Sequence, residues 1–562
     1  MSNPQRIVVI GGTACGPKAA ARARRCDPSA RITIIEQKDN LSTATCGLPY
    51  YVADVIKKES TLVARQADYF RDVMDMEIFT GTRALAVHPK ARTVEIVNQK
   101  TDRRAAIAWD KLVIATGAVP VVPNWEGKDL AGIFTLTSIP DAAAIRGYLS
   151  SLESKEMVIV GAGLIGLEMA EAFYSRGLKV TVLEALGWPL PALLDSEVAA
   201  HVEKHLRSKG VNVRCGQRVT GFLGDGNKRV RRVVLGDTEL EAGMVLLSLG
   251  VRPNTALAKD AGLAIGTTGG IAVNEYMQTS DPAIYAGGDC VEVANIITGK
   301  KTFVPLGSTA NKHGRIIGTN VTGGNDTFPG IVGTAIAKVF DYNAARTGLN
   351  ESQAREAGFD VVTSLVPTFE HATYYPGARE IMVKVIADKS TGRLLGGQAV
   401  GTGDTAKRID VLATAITFGA GANDIANLDL GYAPPYNAAL DPLHNAANVI
   451  RNKLSGQARS LTPPEVKKKL ENGERFILLD VRSKQEWNTE RIEAEQVKLI
   501  PLPELRNRSG ELSPEDEIVV FCRTSIRAYQ AQRILEGVGF KDVKFLDGSL
   551  AAWPYDITTG HK

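Results

Sequence analysis

Two copies of one pattern constrain what these 562 residues can fold into: a buried strand, a glycine turn, a helix, and a second strand ending on a carboxylate. In the first copy Arg6-Ile7-Val8-Val9-Ile10 reads as a parallel strand and Gly11-Gly12-Thr13-Ala14-Cys15-Gly16 as a tight turn. Pro17 to Arg25 reads as the helix, and Arg31 to Ile35 as the second strand, closed by Glu36, 25 residues after Gly11. Glycines in such a turn let the backbone approach a pyrophosphate, the helix N-terminus offers amides and positive potential, and the carboxylate binds the two hydroxyls of a ribose. The middle position of this fingerprint is Thr13 instead of glycine, so the first copy alone is a weak signal. The second is better formed: Val158-Ile159-Val160 leads into Gly161-Ala162-Gly163-Leu164-Ile165-Gly166, and Val180 to Leu183 ends on Glu184, 23 residues after Gly161. Between the copies Leu112 to Ala115 runs into Thr116-Gly117, and later Ile284-Tyr285-Ala286 runs into Gly287-Gly288-Asp289. A lone glycine turn also serves merely to pack a helix on a strand, so the weight rests on four signals in this order.

In that order they resemble the two-dinucleotide-binding flavoprotein fold, an α/β architecture with one nucleotide unit inserted in the other. The resemblance implies an FAD-binding domain over 1–118 and 250–325, an NAD(P)H-binding domain over 119–249, and an α+β dimerisation domain over 326–450. It assigns FAD to Gly11, Gly12, Ala14, Gly16, Glu36, Thr116, Gly117, Gly288, Asp289 and Ala310, with Asp289 on the ribityl chain. The nicotinamide nucleotide falls to Gly161, Gly163, Gly166 and Glu184, and Leu164 to the nicotinamide side of the flavin. A carboxylate at Glu184 accepts from a 2′-hydroxyl and repels a 2′-phosphate, and Ala185-Leu186-Gly187-Trp188-Pro189 supplies no compensating cation. NADH is therefore favoured, with NADPH as a second donor.

Cys46 stands ten residues after Glu36, and the next cysteine is Cys215, so its redox partner must come from elsewhere. With Thr45 as N-cap and Gly47-Leu48-Pro49-Tyr50 opening a helix, the local amides are expected to lower its pKa and supply a thiolate at neutral pH. Glutathione-reductase-like enzymes carry a second cysteine where this chain has Tyr51, and a His-Glu dyad where it has Gly431-Tyr432-Ala433-Pro434-Pro435-Tyr436. In the single-cysteine branch, NADH peroxidase carries a histidine at the position of Ala14, which disfavours that activity. Cys46-Gly47-Leu48-Pro49-Tyr50, Lys338-Val339-Phe340, His371 to Ala378, Lys407 to Val411 and Tyr432 to Pro435 together resemble the CoA-disulfide reductase branch. That resemblance implies a homodimer in which Tyr432 reaches the partner's cysteine and flavin site. It also implies CoA contacts at Lys18, Arg22, Arg25, Ser42, Thr45, Asn311 and Tyr375; cationic forks at Arg22 and Arg25 suit phosphates. The family's asparagine before the cysteine is missing from Ser42-Thr43-Ala44-Thr45, so the acceptor need not be CoA disulfide itself.

Residues 451–470 read as a linker, and 471–562 as a further domain. Phe476 to Asp480 and Ile518 to Phe521 are buried strands, and Cys522-Arg523-Thr524-Ser525-Ile526-Arg527 is a loop opening a helix that continues to Gly537. With Asp480-Val481-Arg482, Glu486 and Leu546-Asp547-Gly548 through Trp553, this is similar to a rhodanese-like α/β domain. The resemblance implies a persulfide on Cys522, with loop amides and Arg527 lowering the thiol pKa and stabilising the outer sulfur. Glu490-Arg491-Ile492 and Ser549 depart from the family pattern, at places expected to lie away from the cysteine loop. Cys15, Cys26, Cys215 and Cys290 follow no metal-ligand spacing and read as small packing residues. His371 alone among the histidines falls in a motif, and reads equally as structural or functional.

A formal charge of +4 gives nucleic-acid binding no support, and no segment reaches membrane-spanning length. Six scattered cysteines and an N-terminus without a signal-peptide pattern favour a reducing cytoplasm. The expected activity is NADH-dependent, FAD-mediated reduction of CoA persulfide, polysulfide or a related persulfide at Cys46, with Cys522 relaying sulfane sulfur. CoA-disulfide reduction and NADH oxidation are the nearest alternatives, and a redox sensor on a flavoprotein scaffold is one from another class.

Overall fold

The structure, a computed structural model, describes residues 4–560. The described residues divide into two compact units, one comprising 4–185 with 217–331, the other 186–216 with 332–560. In the first unit the strands Ile284–Ala286, Lys111–Ile114, Arg6–Ile10, Arg31–Ile35 and Glu77–Phe79 lie side by side in that order, all parallel. Their runs of Val and Ile are buried on both faces, as parallel strands require. A second parallel group in the same unit aligns Lys179–Leu183, Glu156–Val160, Met244–Leu247 and Ile133–Phe134. Each group places a glycine turn at the C-terminal end of a central strand, where open α/β sheets bind ligands.

The second unit holds an antiparallel sheet ordered Ala335–Val339, Tyr342–Gly348, Leu394–Gly401, Glu380–Asp388 and Val361–Phe369. It also holds a parallel sheet ordered Ser460–Leu461, Asp542–Leu546, Glu517–Phe521, Ile477–Asp480 and Val497–Leu499. The second unit also takes in residues 186–216, where a buried ion cluster forms: the Lys384 ammonium lies 2.8 Å from Asp195, 2.5 Å from Glu197 and 2.8 Å from Glu351. One sequence expectation changes here. The expected linker 451–470 is mostly ordered secondary structure. It contains the end of the helix Pro442–Leu454, the strand Ser460–Leu461 and most of the helix Pro463–Glu471, whose prolines occupy its first turn, where no amide proton is needed. Among the described residues no helix is long and apolar enough to cross a membrane.

Candidate active site

Both glycine turns are built alike. Gly11 and Gly161 each have φ +108°, and a Cβ would fall 2.1 Å from the Ala115 carbonyl oxygen in one case and 2.3 Å from that of Ser248 in the other, so only glycine fits. In each unit the next amide donates to the carboxylate closing the second strand, Gly12 to Glu36 at 2.5 Å and Ala162 to Glu184 at 2.9 Å. The helices that follow, Cys15–Cys26 and Leu164–Ser175, begin without a side-chain cap, which leaves their first-turn amides to other acceptors. The first starts two residues before Pro17, which a proline tolerates within the first turn. Gly288 donates to His313 Nδ1 at 3.2 Å, and Thr116 donates its hydroxyl to the Asn254 carbonyl at 2.6 Å. Asp289 is half-buried and has no hydrogen-bond partner among the described residues; burial raises its pKa to about 6. Ala310 is buried, while Asn311 is exposed and donates to the Gly307 carbonyl.

Cys46 is tied to this turn through its own loop: the Ser42 amide, in left-handed backbone at φ +51°, donates to the Gly12 carbonyl at 2.7 Å. The cysteine sits in a single 3-10 turn, Thr45–Gly47, leading into the helix Leu48–Val52, and is exposed. Thr45 caps neither element: Ala44 and Gly47 occupy the cap positions, and no side chain caps either. Contrary to the sequence expectation, the Cys46 pKa is raised. Surrounding protein desolvates the sulfur despite its exposure, and the charges of Glu168 and Asp289 add to the effect, outweighing a backbone hydrogen bond. Glu168 lies one turn beyond Leu164 on the second nucleotide helix and is hydrogen-bonded to Tyr50; burial and then the Glu171 charge raise its pKa to about 7. The sequence reading missed Glu168, although its i+4 spacing from Leu164 puts both on one helix face. Lys18 is half-buried, Arg22 donates to the Thr319 hydroxyl at 3.0 Å, and Arg25 is exposed. Cys15 and Cys290 are buried packing residues, but Cys26, the last residue of its helix, is exposed, and Cys215 is half-buried.

In the second unit Tyr432 is 52 % exposed and its hydroxyl lies 3.1 Å from that of Tyr374, itself 73 % exposed. The pair lines a shallow cavity with Phe369 and His371. The Tyr375 and His371 rings meet edge to face, and His371 Nδ1 lies 3.1 Å from the Ala372 carbonyl oxygen.

Cys522 follows the strand Glu517–Phe521 and is buried. Ser525, at φ +73°, then turns the chain into the helix Ile526–Gly537. Arg527 forms a two-pronged pair with Glu486, at 2.8 and 2.7 Å, and also hydrogen-bonds Cys522. The Arg527 hydrogen bond pulls the Glu486 pKa down to about 2. Both departures from the rhodanese pattern touch this loop, against expectation. The Glu490 carboxylate pairs with Arg523, and the Ser549 hydroxyl accepts from the Cys522 amide at 3.1 Å. Strand crossovers bring residues distant in sequence to one sheet end, which a linear reading does not reveal.

Residues 5–314 match the family described as pyridine nucleotide-disulphide oxidoreductase, residues 334–443 its dimerisation domain, and residues 462–555 a rhodanese-like domain. The chain is 38 % identical over 452 residues to the NAD(P)H sulfur oxidoreductase (CoA-dependent) of Pyrococcus furiosus, covering 80 % of this chain and 99 % of that protein. Among solved structures it resembles a NAD-dependent persulfide reductase from A. fulgidus, with TM-score 0.92 and 44 % identity over 98 % of this chain and 100 % of the other. The reduced CoADR-RHD of Bacillus anthracis also superposes with TM-score 0.92, at 34 % identity over 98 % of both chains. Twin nucleotide turns, a lone cysteine whose loop is hydrogen-bonded to the first, and a cysteine loop on a separate parallel sheet thus agree with the matches, and the chain belongs to the pyridine nucleotide-disulphide oxidoreductases, with an appended rhodanese-like domain.

Proposed function

We propose that this enzyme reduces sulfane sulfur, taking electrons from NADH through FAD to cleave CoA persulfide, polysulfide or a related persulfide at Cys46. The observation that carries the reading is an exposed Cys46 with no second cysteine in its loop, a loop that the Ser42 amide ties to the first glycine turn. The residues fit the two nucleotides. Uncapped helix starts suit pyrophosphates, Glu36 and Glu184 end their strands beside those turns, and the unpartnered Asp289 carboxylate suits a hydroxyl-bearing chain. Gly11, Gly12, Ala14, Gly16, Thr116, Gly117, Gly288 and Ala310 complete the flavin contacts, and Gly161, Gly163 and Gly166 the dinucleotide contacts. Lys18, Arg22, Arg25, Ser42, Thr45, Asn311 and Tyr375 hold the CoA moiety.

The Cys46 thiolate attacks the inner sulfur of the persulfide, a Cys46–CoA disulfide forms, and hydrosulfide leaves with the electron pair of the broken S–S bond. Held by the residues above, FAD and NADH would supply the two electrons that split this disulfide, so that Cys46 returns as thiolate and CoA leaves as its own thiolate. Desolvation first, and then the Glu168 charge, raise the pH at which that thiolate persists. Tyr432, exposed in its own chain, donates a hydrogen bond at the site of a partner subunit in a homodimer. Cys522 and Arg527 load or relay sulfane sulfur, and the enzyme works in the cytoplasm. Anaerobic stopped-flow with NADH against CoA persulfide, CoA disulfide, polysulfide and oxygen tests the reading. Cys46→Ser is expected to abolish sulfide release from CoA persulfide and polysulfide and thiol release from CoA disulfide, and Cys522→Ser to lower sulfide release only when sulfur is delivered from a rhodanese donor such as thiosulfate. Faster turnover of oxygen than of any persulfide would establish an oxidase instead, and preference for CoA disulfide a thiol-homeostasis enzyme.

A further inference from the structure

We propose that Ser549 is a positioning residue for the sulfur chemistry of Cys522, placing a hydroxyl proton on Sγ whenever that atom carries negative charge. This rests on the sulfurtransferase reading of the rhodanese-like domain. Ser549 is fully buried and holds left-handed backbone at φ +51°, directly after Gly548 at +70°. A non-glycine residue in that region is strained, and such strain persists where the surroundings enforce it, often at functional sites.

The hydroxyl has a defined set of partners. Its oxygen accepts from the Cys522 amide at 3.1 Å. Its single proton has three acceptors in reach: the Leu546 carbonyl at 3.3 Å, the Ser525 hydroxyl oxygen at 3.3 Å and Cys522 Sγ at 3.9 Å. Ser525 already donates to the Leu546 carbonyl at 3.0 Å, so the Ser549 proton is not needed there. A neutral thiol is a weak acceptor, whereas a thiolate is a charged one whose hydrogen bonds are about twice as strong. The Ser549 proton therefore turns to Sγ on ionisation and back to an oxygen when the charge leaves.

The charge moves during the reaction. The Cys522 thiolate attacks the outer sulfur of thiosulfate, an Sγ–S bond forms, and the donor S–S bond breaks with its electron pair leaving on sulfite. The negative charge then lies on the outer sulfur, on the side of the loop amides and Arg527. When cyanide or an acceptor thiolate takes that outer sulfur, the Sγ–S pair returns to Sγ, and Ser549 stabilises the departing thiolate. Ser549 thus serves the inner sulfur alone, whereas Arg527, which also reaches Cys522 in the resting loop, serves both sulfurs.

Two variants separate this role from simple packing. Ser549→Gly removes the hydroxyl and relieves the backbone, while Ser549→Ala removes it and keeps the strain, so their stabilities differ but the missing oxygen is shared. Peptide-resolved mass spectrometry of Cys522 alkylation by iodoacetamide across pH gives its titration in the full-length holoenzyme. Both variants are expected to raise the Cys522 midpoint by about one unit or more, and to slow thiosulfate-to-cyanide sulfur transfer roughly tenfold at neutral pH. An unchanged midpoint in both, or a shift that follows melting temperature across the pair, overturns the role of the hydroxyl. Wild-type protein whose Cys522 titrates normally yet transfers no sulfur from thiosulfate, polysulfide or CoA persulfide overturns the sulfurtransferase reading instead.

Discussion

Glu168 and Cys46 illustrate how a single charge tunes a redox sulfur. Cys46 ionises late chiefly because it is desolvated, and the anionic Glu168 adds to that. Below the Glu168 pKa of about 7 the carboxyl is neutral and its repulsion vanishes; above it the repulsion is complete. Glu168→Gln is therefore expected to lower the Cys46 pKa and to speed its alkylation at pH 8 a few fold in nucleotide-free enzyme, without reaching the rate of a free thiol. Peptide-resolved alkylation rates from pH 6 to 10 measure this, and an unchanged profile removes Glu168 from the control of Cys46. The motif around Cys46 was legible in the sequence because residue order carries it. The raised pKa was not, because Glu168 is 122 residues away and reaches Cys46 only through the fold. Ser549 was likewise visible as a departure from a pattern, but its contact with Cys522 depends on two strand ends meeting.

At the scale of elements, period and glycine placement disclosed the strands and helices of both nucleotide units, and the observed strands differ from the expected ones by a residue or two. What period does not disclose is which elements share an ion cluster. The stretch 186–216 looks, by sequence order, like part of the nicotinamide-nucleotide domain, yet Asp195 and Glu197 close on Lys384 of the antiparallel sheet together with Glu351. These three carboxylates have the spacing of a cation site, and the cation is the lysine ammonium. Burial opposes the Lys384 charge, but the three anions outweigh it and raise its pKa; Lys384 in turn helps hold Glu351 below the usual carboxylate range against the opposing effect of burial. A depressed carboxylate pKa contributes stability that is present above its unfolded value and lost as pH falls through the folded one. Lys384→Met removes the cation that the three carboxylates share, leaving Glu351 only Arg355 and Asp195 only the Gln398 side chain and the Glu351 amide, and is expected to cost about 3–5 kcal/mol at pH 7. The deficit should narrow as pH falls toward 5 and the carboxyls take up protons. Urea denaturation at both pH values reads this; a deficit independent of pH would assign the loss to packing.

For the whole molecule, the joint before the rhodanese-like domain matters more than its sequence suggests. Gly456 and the two prolines read as a linker, but Pro463 and Pro464 begin a helix, and only residues 455–459 lie between the helix Pro442–Leu454 and the strand Ser460–Leu461. Lys453, at the end of the helix Pro442–Leu454, donates to Asp547 at 2.6 Å and to the Thr363 carbonyl at 2.7 Å. It thereby joins the antiparallel sheet to the turn that carries Ser549. Asp547 is buried, which raises its pKa, while Lys453 and the Ser460 hydroxyl oppose that shift. Lys453→Met is expected to release this joint: tryptic cleavage after Arg459 should accelerate several fold, while NADH-dependent reduction of free CoA persulfide stays unchanged. Equal cleavage rates would show that the ion pair does not hold the domains together. The clamp also changes what a fused domain offers. A domain on a slack tether samples many orientations and presents its sulfur at a concentration set by tether length. One seated by Lys453 and Asp547 keeps Cys522 in a single bearing relative to the dimerisation sheet, so its effective molarity toward an acceptor is fixed by geometry, and lengthening residues 455–459 alone would leave it unaltered.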